Sequence, residues 1–380
     1  MLTRTLRATS LTRTRARVCV RPSSSFAMSA NPRVDPPPSA YRPATARIQP
    51  RKPESFVPAV QRWSALLPPT LVVGTFGVQA RSLVPDSPFL GWARDALAPS
   101  AADAPCTSDH ARHTDAAGYT HHVVVAYWRD PAAYARWAAA HEGFWDAAAE
   151  AREEGEGVYR EVLSVPADRA ETIFWPDYPG GLMCDADTPL YPTPYCGYYG
   201  AMRDRLPAAG DDALAGPALD TGAGATRDTR GRRRVRVPQN IAVIRSAHTW
   251  QFMDAEQRAD YERRLRPPLD RGMAYLSTPE SGCLSLRWLT VTDERGAPRP
   301  EAHATAYFAS LGHMEAWAEG HRTHAAIFGA AVARYKHYGA SNQLRTWHEV
   351  FIIPEGQVFE YINCHPQTGL LPYFDSERVE

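Results

Sequence analysis

An internal repeat limits how this chain can fold more than any other feature, and it emerges when the sequence is slid along itself by 180 residues. In the first copy HHVVVAYWRD (121–130) is a β-branched run, PAAYARWAAAHEGFWDAAAEA has helical character, and VYREVLSV (158–165) returns as a strand. In the second, AHATAYFAS (302–310) is the strand, LGHMEAWAEGHRTHAAIFGAAVARY is one helical stretch, and RTWHEVFII (345–353) is the returning strand. Tyr127 matches Tyr307, Trp137 matches Trp317 and His141 matches His321. Two such units hide one sheet face under helices and bring their other apolar faces together. The expected fold is therefore α+β, with duplicated ferredoxin-like halves forming a shared sheet or barrel flanked by helices.

Around the repeat the chain divides by composition. Residues 1–27 hold six arginines among Ser and Thr, with no acidic residue before Asp35, which reads as a transit peptide, a disordered leader or a start placed ahead of the true one at Met28. Residues 28–65 form a Pro-rich arm expected to wrap the surface. The first half is expected over 66–207 and the second over 237–375, joined by a flexible Gly/Ala/Arg loop at 208–236. The basic run at its end, Arg230 to Arg234, lacks interleaved aromatics, so a solvated loop is preferred to a nucleic-acid site.

Lys+Arg and Asp+Glu both number 42, which leaves no global field for nucleic acid or an anionic membrane and favours small-molecule chemistry. Six cysteines without a C-x-x-C pair argue against thiolate zinc and fit a reducing compartment. No apolar run approaches the roughly 18 residues of a membrane span, so a soluble, cytoplasmic protein is expected, with a mitochondrial one as the alternative the Arg-rich start suggests.

The two copies differ where chemistry would need them to. Against His324 stands Phe144, and against His348 stands Arg160. His324 lies among small residues (Ala325, Ala326, Gly329, Ala330, Ala331) that would let a flat macrocycle approach, and neutral imidazole is a strong axial ligand for haem iron. An ordinary partly buried histidine fits the spacing equally well. Without a C-x-x-C-H motif any haem would be b-type. His348 alternates in facing with Trp347 and Glu349, so in an apolar cavity it could act as general acid and base, or it could be a hydrogen-bonded core histidine.

Six segments carry a family likeness: FGVQ (76–79), YYGAMRDRLP (198–207), NIAVIRSAHTW (240–250), EGHRTHAAIF (319–328), LRTWHEVFII (344–353) and FEYINCHPQTGLL (359–371). Together they resemble the haem-dependent aldoxime dehydratases, from about residue 70 to 372. The resemblance implies a haem-b lyase that converts aldoximes to nitriles and water at ferrous iron. It places the axial ligand on His324, the distal acid and base on His348, the partner of the oxime hydroxyl on Ser246, and supporting roles on Arg205 and Glu171. It also implies a homodimer, a small-molecule aldoxime substrate, and an architecture like the dye-decolorising peroxidases and chlorite dismutases. A haem peroxidase of related fold and a non-catalytic haem or small-ligand binder are the rival functions; no G-x-x-D-G peroxidase signature occurs. Phe144, Trp145 and Met183 are candidates to line an aromatic-accepting pocket.

Overall fold

A computed structural model describes residues 29–83, 87–151, 156–219 and 229–379; the Arg-rich leader lies outside the described residues. The first half runs β2 (Thr70–Ala80), α1 (Pro88–Ala96), β3 (Thr107–Thr114), β4 (Thr120–Trp128), α2 (Pro131–Glu150) and β5 (Glu156–Pro166), after a short β1 (Arg62–Ala65). The second repeats that order with β9 (Ala242–Thr249), α4 (Ala255–Asp260) continuing through a π-helical turn into α5 (Arg266–Leu276), β10 (Cys283–Thr292), β11 (Pro298–Phe308), α6 (Leu311–Gly320), α7 (Arg322–Tyr338) and β12 (Arg345–Ile352). Between and after the halves lie β6 (Ala170–Ile173), β7 (Leu190–Thr193), α3 (Ala201–Asp204), β8 (Arg232–Arg236), β13 (Val358–Ile362) and β14 (Ser376–Val379).

Twelve strands form one sheet in the order β14-β8-β13-β5-β2-β4-β3-β10-β11-β9-β12-β6, while β1 pairs with β7. Its centre is two mirrored ferredoxin-like sets, β5-β2-β4-β3 and β10-β11-β9-β12, joined where Val291 pairs Ala111. The outer pairings cross over: β6 follows the first half yet pairs β12, and β13 follows the second yet pairs β5. The inner faces of both halves share one core that includes Val73, Tyr127, Tyr159, Tyr307, Trp347, Phe351 and Tyr361. The duplicated α+β architecture expected from the repeat is the one observed.

Local signals explain the helix starts. Asp130 caps α2 by accepting from Ala132 N at 2.8 Å, with Pro131 at the first helical position where no N–H is needed. Ser310 caps α6 in the same manner. The expected single helix of the second copy is instead broken at His321, whose extended backbone (φ −93°, ψ 133°) ends α6 and caps α7. Its Nδ1 bonds Thr323 Oγ1 at 2.8 Å and its ring stacks on Tyr275 at 3.7 Å. The arginine run is likewise a strand rather than a loop. Arg232 finds Glu142, Asp146 and Glu360 at 2.8 to 3.2 Å, and Arg234 finds Glu360, so their charges are matched inside the sheet.

Candidate active site

The outer faces of the two halves are covered differently. On the first, α1 and α2 pack Phe89, Trp137 and Trp145 against Phe76, Val78 and Trp128 of the strands. Phe144 and Trp145 therefore belong to this filled layer, and Met183 to the shared inner core, so none of the three lies in the helix layer of the second half that holds His324, contrary to the expectation that they line a pocket. The reason is that the repeat sends α2 onto its own half's sheet.

On the second half the strands present Ala304, Ala306, Phe308, Val350 and Ile352 to Met273, Leu276 and Met314 of the helices. Helix α7, 17 residues long, buries a single residue, Arg334. It packs instead on α5, where a Cβ on Gly272 would come within 2.6 Å of Ile327 Cδ1. Across the same layer Ile244, Ser246, Leu286, Trp288, Thr346 and His348 remain only partly covered. Helix α7 thus leaves these outer sheet positions incompletely covered.

His324 sits in this layer. Its ring meets Trp317 edge-on at 4.8 Å, and Trp317 in turn lies over Phe308. Its Nδ1 is buried with no hydrogen-bond partner among the described residues, and burial holds the imidazole below its usual pKa despite the Ala318 carbonyl. A neutral imidazole with an orphaned nitrogen on a loosely packed helix suits axial ligation of haem iron, because metal binding would satisfy what the protein leaves bare.

His348 lies on β12 in the facing expected, since Trp347 and Glu349 on either side point into the shared core. Its direct cross-strand neighbour is Ser246 of β9. Arg205, just past α3, reaches His348 Nε2 with Nη2 at 2.8 Å and Glu171 Oε2 with Nε at 2.5 Å. Glu171, brought alongside by the β6–β12 pairing, holds Oε1 3.0 Å from the same Nε2, off the line of an ideal hydrogen bond. Arg205 and Glu171 thus meet on the His348 imidazole with Ser246 as its cross-strand neighbour, while His324 stands on the helix of the same layer.

The charges explain the protonation states. Burial would raise the Glu171 carboxyl, but Arg205 and then His348 outweigh it and hold it below the usual carboxylate range. Burial lowers His348; Glu171 opposes, and Arg205 and Arg62 push the same way as burial. Arg62 carries no motif and escapes sequence reasoning. It spans from β1 to donate to the carbonyls of Phe174 and Thr346, and desolvation brings its own pKa down to about 10.

Behind the site stands a buried network that sequence spacing does not reveal. Glu349, beside His348, accepts from Tyr127 Oη at 2.6 Å and from Leu182 N at 2.7 Å, and Arg245, beside Ser246, lies 3.4 Å away. Gly181 admits this contact: its φ is +56°, and a Cβ there would lie 2.3 Å from Glu349 Oε1. The first half mirrors it, with Glu161 accepting from Tyr307 Oη at 2.8 Å and pairing with Arg287.

The chain is similar to known proteins over most of its length. The chain is 30% identical over 339 residues to a phenylacetaldoxime dehydratase from Bacillus sp. (strain OxB-1), covering 86% of this chain and 95% of that one. It is 34% identical over 331 residues to an aliphatic aldoxime dehydratase from Pseudomonas chlororaphis, covering 84% and 93%. A crystal structure of an aldoxime dehydratase superposes with a TM-score of 0.76 at 32% identity over 87% of this chain and 96% of that chain. Another, solved in complex with butyraldoxime, gives 0.77 at 28% over 90% and 99%. Residues 74–370 match the family of haem-containing dehydratases. With a likeness that spans both halves, the chain belongs to the haem-containing dehydratases.

Proposed function

We propose that the chain dehydrates aldoximes, R–CH=N–OH, to nitriles and water, with haem b held by His324 and the proton work done by His348. The convergence of Arg205, Glu171 and Ser246 on His348 carries this reading. Ferrous haem, when bound, supplies a ligand position for the oxime nitrogen and electron density that weakens the N–O bond, which no side chain offers.

The protein's part is to move two protons. Hydroxide leaves poorly, so the oxime oxygen must be protonated as N–O breaks, and the proton on carbon must be removed for C≡N to form. The imidazolium of His348 gives its proton to the oxygen, which departs as water, and the resulting imidazole takes the proton from carbon. The ring ends as it began. Arg205 and Glu171 touch the same Nε2 and favour opposite states of it: the guanidinium a lone pair, the carboxylate a proton. Ser246, the cross-strand neighbour of His348, would hold the oxime hydroxyl.

Because His348 must enter the cycle charged, turnover should fall as pH rises through its pKa, which burial and Arg205 set below 6.5. The deciding experiment loads the purified chain with haem, records the Soret band, reduces with dithionite and adds phenylacetaldoxime. Nitrile formation is expected; peroxide-driven dye oxidation without nitrile would favour a peroxidase instead, and no Soret band would end both readings. A homodimer, which the family likeness implies, and a cytoplasmic location are part of the same proposal. Cell fractionation and light scattering test it, and a monomer or an organellar signal would overturn it.

A further inference from the structure

We propose that the N-terminal arm is a working part of the active site: residues 42–52 clamp Asp204 and so fix Arg205, the next residue, against His348 and Glu171. This rests on the role given to Arg205 above. The Asp204 carboxylate is fully buried and takes four contacts. Oδ1 accepts from Arg51 N at 3.0 Å and lies 3.3 Å from Arg42 Nη2; Oδ2 accepts from Lys52 N at 3.0 Å and from Tyr198 Oη at 2.7 Å. Three of the four come from the arm.

Arg42 is itself buried, with its side chain 1% exposed, and it also donates to the Arg203 and Ile48 carbonyls. Ile48 N in turn bonds Gly210 O at 2.8 Å, so the arm grips the segment on both sides of Arg205. That segment needs a grip. Helix α3 is only four residues long, and so short a helix has too few internal hydrogen bonds to hold its own shape. Gly200, which precedes it with φ +93°, lets Arg51 lie directly against the turn: a Cβ there would meet Arg51 Cδ at 2.7 Å.

A buried ion pair is a poor device for stability alone, since apolar packing serves as well or better. Its value here is direction. Arg205 must bring Nη2 to His348 and Nε to Glu171 together, and the pair anchors the backbone one residue away. The arm also lays Ser39 and Ala40 over a cavity of about 180 Å³ whose walls include Glu171, Arg205, Asp168 and Tyr191. It covers the back of the ion pair as well as holding it.

The test uses the full, haem-loaded chain carrying Asp204→Asn, Arg42→Ala or Arg42→Lys. A misplaced guanidinium should lower kcat roughly 10- to 100-fold in Asp204→Asn and Arg42→Ala, with the Soret band retained and KM changed far less. The pH profile distinguishes positioning from stability. His348 is faced by Glu171, Arg205 and Arg62, and drawing the Arg205 charge away raises its pKa, so the alkaline limb of kcat should move to higher pH. Arg42→Lys, which keeps the charge, should recover part of the loss. Parental kcat and pH profile in Asp204→Asn and Arg42→Ala would overturn the clamp. So would loss of the Soret band in all three variants, which would make it a folding element. A parent chain that forms no nitrile overturns the proposed function instead, so the two failures are distinguishable.

Discussion

The two halves start from one plan and treat their outer faces in opposite ways. The first fills the space between sheet and helix with large rings: Phe144 stacks on Trp92 at 4.8 Å, and Trp137 and Trp145 close around Phe76. The second puts Ala325 where Trp145 stands and His324 where Phe144 stands, on a helix that buries almost nothing. The same division holds on the returning strands. Arg160 is satisfied by Glu142 at 2.6 Å and Glu360 at 3.0 Å, whereas His348 meets a cation and an anion on one nitrogen. One half fills its outer layer with packed side chains, while the other keeps a partly covered sheet face and a titratable group.

Substitutions should accordingly separate by half. The largest effect is expected from His324→Ala, which should abolish the Soret band of the reconstituted protein while the fold survives by circular dichroism; retention of the band would move the ligand elsewhere. Next, His348→Ala should keep the band and lose roughly 10²- to 10⁴-fold in turnover. Near-normal rates would remove the residue from the proton work. Trp145→Ala should cost about 3–5 kcal/mol of stability in denaturant unfolding, yet leave turnover per folded, haem-loaded molecule unchanged. A drop in that turnover would mean the halves are not independent. The smallest and sharpest contrast is Tyr127→Phe against Tyr307→Phe. Each removes a buried hydrogen bond to a carboxylate and should cost about 1–3 kcal/mol, but only the first, whose partner Glu349 adjoins His348, should also lower kcat. Equal effects on kcat would break the comparison.

What the sequence disclosed follows from how far each feature depends on distant chain. The repeat, its strands and the facing of His348 were legible because they rest on local periodicity. The break at His321 was not, since the helical pattern runs through it and the stacking ring of Tyr275 comes from another helix. The arginine run looked solvent-bound until Glu142 and Glu360 were brought beside it. His324 stood out by the difference between the copies as well as by family likeness, whereas Ser246, Arg205 and Glu171 could be picked out only through that likeness, for spacing alone leaves each with an ordinary structural reading. The role of Asp204 gave no signal, because three of its four partners lie about 150 to 160 residues away in an arm that looked like mere wrapping.

The crossed strands at the outer edges bear on how such a molecule can come apart. β6 is made by the first half but completes the edge beside His348, and β13 is made by the second but completes the edge beside Arg160. Pulling the halves away from each other would strip both edges and leave open rows of backbone donors and acceptors. The joint is a mutual handclasp rather than a hinge. A chain built on two repeated units is in this way one indivisible piece, and Glu171, the carboxylate beside the second half's histidine, rides on the strand the first half lends.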